Sequence, residues 1–237
     1  MTEFLIEGRT ISQELERLAK QGNKPFSVSL HPGVEHILGV RIPDLRKLAR
    51  KIANSDWTLY LSHVGLFYME ERILYGLVLG YITPDSDVET YLSRVTNFVH
   101  QINSWSVCDS FSFAGGKYWV EEHSIPLWNY LVRWMRAKGE YEKRFGIVMA
   151  KKYFIDDEHL DKFLMMMDEI RHEGYYVKMA VAWAVSECFV KFPQQTMIYL
   201  EQNHLDHFTY NMSLQKIIES YRVDDQMKLL IKNKKRK

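Results

Sequence analysis

Trp105 and Asp109 stand four residues apart in NSWSVCD (Asn103 to Asp109), a spacing that puts an indole and a carboxylate on one face of a helix. Arg144 follows in Glu140-Tyr141-Glu142-Lys143-Arg144, and a second indole, Trp183, in YYVKMAVAWAVSE (Tyr175 to Glu187). Trp105, Arg144 and Trp183 are successively 39 residues apart. In a stack of repeats of about that length they fall at neighbouring positions on one surface. An indole face attracts a cation by ~0.5 to 2 kcal/mol, depending on desolvation, and an aspartate, ionised at neutral pH, attracts the same cation. Arg144 has the wrong sign for that cation and the right one for an adjacent phosphate. Taken singly, each residue has an ordinary use. A tryptophan at helical spacing more often packs a core, Asp109 alone caps a helix or pairs with a surface arginine, and Arg144 alone is a solvated surface residue. The shared register is what makes the joint case.

The elements that carry these residues read as helices. Pro25, Pro32, Pro43, Pro84, Pro126 and Pro193 lie at or near boundaries between segments whose apolar residues recur at three- and four-residue steps, as in Ile125, Leu127, Trp128, Leu131, Val132, Trp134 and Met135. There is no sustained period-two alternation and no Asn-Gly or Asp-Gly hairpin signal, so the fold class is all-α. The helices pair. First helices are expected over Asp56 to Val64, Ser86 to Val99, Ser124 to Arg136, Asp157 to Ile170 and Pro193 to Asn203. Second helices are expected to begin near Glu70, Ser104, Glu140, Gly174 and Asn211, at separations of 34, 36, 34 and 37 residues. That is the spacing of HEAT-like helical hairpins, which stack into a curved solenoid whose second helices line the concave side. Pro43 suits a first helical turn, and Ser86 or Asp87 suits the cap before Val88. A helix from about Ile11 to Lys20 is expected, whereas KPFSVSLHPGVEH, Lys24 to His36, reads as an irregular connection broken by two prolines. The expected organisation is one HEAT-like domain over residues 1–237, with an irregular and helical cap over 1–42 and a basic tail over 232–237.

Composition bounds the function. The 237 residues hold 31 Lys+Arg and 30 Asp+Glu, a formal charge of +1, which argues against a grip on nucleic acid by bulk positive charge. The tail Lys232 to Lys237 holds five of the cations, so the rest of the chain carries 26 cations, 30 anions and a charge of −4. A polyanionic partner must therefore be held by a local basic face or by the tail. No apolar stretch suits a secretory signal or a bilayer span. Cys108 and Cys188 make neither a disulfide framework nor a CxxC metal site. A cytoplasmic, reducing setting is expected, with no membrane partner. A positive ligand held among phosphates matches the chemistry of an alkylated purine nucleotide in DNA.

At these residues the chain resembles the AlkD-like family of DNA alkylation repair enzymes, HEAT-like proteins that excise positively charged N3- and N7-alkylated purines. The resemblance runs through ILGVRIPDLRKLARKI (Ile37 to Ile52), NSWSVCD, KRFGIVM (Lys143 to Met149), YYVKMAVAWAVSE and QKIIESYRV (Gln215 to Val223). Five motifs in this order and spacing are specific where no single one is. The resemblance implies Trp105, Asp109 and Trp183 as the catalytic cleft and Arg144 as a DNA-backbone contact. It further implies hydrolysis of the N-glycosidic bond of double-stranded DNA without turning the base out of the helix, by a monomer that needs no cofactor and no metal. Ser186, three residues after Trp183, stands where some members have an arginine that touches DNA.

Lys178, Lys216 and Arg222 lie on later second helices, where they join Arg144 in a phosphate-facing strip or are merely solvated charges. Two other uses fit the same chain: a noncatalytic module that binds DNA shape or branched DNA, and a protein-binding helical scaffold. His204 and His207 lack a third metal ligand nearby, and Met165-Met166-Met167 reads as flexible packing.

Overall fold

A computed structural model describes residues 3–84 and 87–237. Ser86, one of the two expected caps, lies outside the described residues. Among these, fifteen helices form and no strand does; the one bridge, between Ile6 and Arg9, is isolated. The chain divides into two compact units, Met1–Ser124 and Ile125–Lys237.

The first unit contains α1 (Ile11–Ala19), α2 (Lys24–Leu30), α3 (Ile42–Ala53), α4 (Trp57–Ser62), α5 (Met69–Tyr81), α6 (Val88–Val99), α7 (Trp105–Ser110) and α8 (Gly116–Glu122). Short polar side chains set most starts by accepting the otherwise unpaired first-turn amides. Thr10 and Gln13 form a reciprocal capping box on α1, Asp56 accepts from Leu59, Asp87 from Thr90, and Ser104 from Val107. The expectation of an irregular Lys24 to His36 is corrected, because α2 forms there. Pro25 sits in its first turn, where a proline forfeits no helical hydrogen bond, and Asn23 Oδ1 accepts from the Phe26 amide. Only the segment after Leu30 is irregular. It is anchored by Glu70, whose buried carboxylate accepts from the amides of Leu38, Gly39 and Val40. The helices α3, α5 and α7 pack in sequence, over a core in which Tyr91, Phe98, Phe111 and Phe113 are fully buried.

The second unit takes in α9 (Ser124–Met135), α10 (Glu140–Tyr153), α11 (Leu160–Glu169), α12 (Tyr175–Lys191), α13 (Pro193–Gln202), α14 (His207–Glu219) and α15 (Asp225–Asn233). Here α10 packs on α12 and α12 on α14. Gly146, in the middle of α10, permits one close approach: a Cβ there would stand 2.5 Å from the Met135 amide nitrogen at the end of α9. The expected start of α14 near Asn211 is one turn late, since Asp206 caps it by accepting from the amides of Phe208 and Thr209. After α15, Arg236 of the basic tail is docked. Its guanidinium lies 3.9 Å from the centre of the Tyr210 ring and donates to the Leu205 carbonyl at 2.6 Å. No helix among the described residues is long and apolar enough to cross a membrane.

Candidate active site

Trp105 and Asp109 both project from α7, one turn apart and half-buried. On the opposite side of this short helix Val107 and Cys108 are fully buried, which fixes its rotation. The Trp105 indole is held at its edge and on one face. Its Nε1–H donates to the Leu30 carbonyl at 3.1 Å, and the His31 imidazole stacks on it with centroids 4.9 Å apart and planes 8° from parallel. His31 is itself fixed twice. Nδ1 lies 2.7 Å from the Ser27 carbonyl, which can only accept, so Nδ1 carries a proton; Nε2 lies 2.6 Å from Ser106 Oγ on α7. The end of α2 is thus a bracket for the indole, although the sequence suggested no order there.

In the second unit, Trp183 projects from α12 and is half-buried. The Lys151 ammonium of α10 lies 2.8 Å from the centre of its indole. One turn further along α12, Glu187 accepts a hydrogen bond from Arg222 at 2.6 Å. Burial pushes the Glu187 carboxyl upward. The Arg222 hydrogen bond and charge and the Lys151 charge outweigh burial and hold it below the ordinary glutamate value. Ser186 is buried, with its hydroxyl donated to the Trp183 carbonyl at 2.8 Å.

The four expected DNA-binding cations have different surroundings. Arg144 is buried rather than solvated and donates to the Tyr176 carbonyl at 2.8 Å. Lys178 pairs with Glu173 at 3.0 Å, a hydrogen bond that holds its ammonium above the ordinary lysine value. Arg222 pairs with Glu187. Lys216, half-buried on α14, has no ion pair among the described residues. His204, one of the two histidines considered for metal, instead pairs with Asp168 at 2.8 Å.

Sequence reasoning passed over His31, Lys151 and Glu187. Two of them left no pattern, but Glu187 did. Trp105-Ser106-Val107-Cys108-Asp109 and Trp183-Ala184-Val185-Ser186-Glu187 share the order indole, small, valine, small, acid, at twice the 39-residue spacing. Each unit therefore carries an indole with a carboxylate one turn after it.

Residues 11–217 match a protein-family model described as DNA alkylation repair enzyme, and the chain belongs to that family. No curated protein matches the sequence. Membership assigns the chain a role in DNA repair and makes DNA the expected substrate.

Proposed function

We propose that the protein is a DNA N-glycosylase that hydrolyses the N-glycosidic bond of positively charged N3- and N7-alkylated purines without flipping the base. The observation that carries this reading is the half-buried pair on α7, an indole and a carboxylate one turn apart, with the indole braced at edge and face before any ligand arrives. Glycosidic cleavage passes through a sugar of oxocarbenium character. An alkylated purine already bears the positive charge and leaves neutral, so no general acid is needed. Asp109 stabilises the developing sugar cation and orients water, while Trp105 and Trp183 present indoles to the deoxyribose. At ~4 Å and an effective dielectric of ~20 the attraction is about 4 kcal/mol before Asp109 is desolvated. That corresponds to roughly a thousandfold in rate at most.

The reading includes a HEAT-like stack in which the second helices form a concave DNA face over one domain. Lys216 is the readiest phosphate contact, Lys178 and Arg222 exchange a carboxylate for a phosphate, and Arg144 supports the backbone contact from α10. The test is release of 7-methylguanine or 3-methyladenine from methylated duplex. The wild type should release base and Asp109→Asn should be slower by up to a thousandfold. Release no faster than the spontaneous rate sinks the proposal.

A second reading, a noncatalytic binder of branched or distorted DNA, draws on the ion-paired state of Lys178 and Arg222. It predicts salt-sensitive binding with no excision.

A further inference from the structure

Trp183 already has a cation. The ammonium of Lys151 lies 2.8 Å from the centre of its indole, while Arg222 is bound to Glu187, one turn further along the helix. The attraction that suits an indole to a cationic lesion is therefore satisfied from within the second unit. A ring has two faces, and a cation arriving on the other face of Trp183 would meet Lys151 through the thickness of the ring, where like charges repel.

We propose that Lys151 is a specificity-determining residue. It is a resident cation that competes with positively charged ligands for Trp183, so the site favours a cation only when the ligand displaces the lysine or outweighs it. This rests on the proposed function for the identity of the ligand, but not for the contact itself. A neutral ligand against the same indole meets no such competition, so the lysine narrows the gap between cationic and neutral ligands. Arginine at this position would preserve the competition, because its guanidinium also stacks on aromatic faces. Methionine would keep the length and apolar contact and remove the charge.

The test compares wild type, Lys151→Met and Lys151→Arg in binding two duplexes. One carries a cationic pyrrolidine analogue of an abasic sugar, the other a neutral tetrahydrofuran analogue at the same position. Lys151→Met should raise the preference for the cationic duplex about tenfold, and Lys151→Arg should leave it near the wild-type value. A folded Lys151→Met protein with an unchanged or lowered preference, or a set of proteins that binds neither duplex, overturns the proposal. A second measurement needs no variant. In the wild type the ε-methylene protons of Lys151 should resonate upfield, over the ring, and move to the position of a free lysine on saturation with the cationic duplex but not the neutral one. A lysine that stays upfield in the cationic complex also overturns it. Base release by the wild type is measured alongside: its absence tells against glycosylase activity, whereas the preference shift decides the role of Lys151.

Discussion

The His31 imidazole lies parallel to the Trp105 indole, 4.9 Å away, while its Nε2 reaches Ser106, the next residue on the same helix. One buried side chain therefore contacts two consecutive residues of α7 and fixes the rotation of the indole from outside the helix. His31→Ala should remove the stacking and leave Ser106 and the Ser27 carbonyl without their shared partner, lowering unfolding free energy by about 2 to 3 kcal/mol in urea titration. If the indole takes part in cleavage, kcat for base release should fall further than KM rises, because the lost contact orients Trp105 rather than binding DNA.

Glu70 holds the irregular segment that follows α2. With three amides donated to one buried carboxylate, Glu70→Ala should cost about 3 kcal/mol or more, since hydrogen bonds to charged groups exceed neutral ones and the amides are left unpaired. Amide exchange at Leu38, Gly39 and Val40 should accelerate before exchange in α3 does.

These two residues show what the sequence conceals. Helix starts at Met69, Trp105, Glu140 and Tyr175 fall within one residue of expectation because caps, glycines and apolar spacing act locally. The α2 helix was missed because a proline in a first turn and a proline in an interior look alike until the cap at Asn23 is recognised. The start of α14 was placed late for the same reason at Asp206. Trp105 and Asp109 were legible as a pair, since a four-residue spacing on a helix settles their face. Their supports were not, because Trp105 takes its partners from Leu30 and His31, some 75 positions away in sequence, and no local pattern encodes a pairing at that distance. Arg144 reads in the sequence as a DNA-backbone contact or, taken alone, as a solvated charge; its burial is not legible there because it depends on α12, whose Tyr176 carbonyl accepts from it.

The salt dependence of DNA binding should separate the cations. A lysine that meets a phosphate releases about one counterion, so its removal lowers the slope of log affinity against log salt by about 0.9. Lys216→Gln should show that loss. Arg222→Gln should show less, because Arg222 has Glu187 as a standing partner and a freed Glu187 carboxylate repels the duplex. Equal slope changes in the two variants would give Arg222 a direct phosphate contact.

Glu187 supplies a pH dependence whose sign follows from its surroundings. Its carboxyl is held below the ordinary value near 4.5 in the folded protein, burial notwithstanding, by Arg222 and Lys151. A group whose folded value is depressed stabilises the fold above its unfolded value, and the stabilisation is lost as pH falls through the folded value. The stabilisation from this group should therefore be full near neutrality, begin to fall as the unfolded carboxyl protonates around its ordinary value near 4.5, and be gone once the folded carboxyl protonates in more acidic solution. In Arg222→Gln the largest opposing influence to burial is gone, and burial raises the carboxyl. A raised carboxyl contributes with the opposite sign, costing stability near neutrality that is recovered as pH falls. Arg222→Gln should therefore be less stable than wild type near pH 7 by a margin that shrinks toward pH 3, while Glu187→Gln should be less stable near neutrality and lose this part of the acid dependence. Thermal melting of the three proteins between pH 3 and pH 7 checks the order. A stability margin between wild type and Arg222→Gln that stays constant from pH 7 to pH 3 would mean that the pairing at 2.6 Å does not persist in solution.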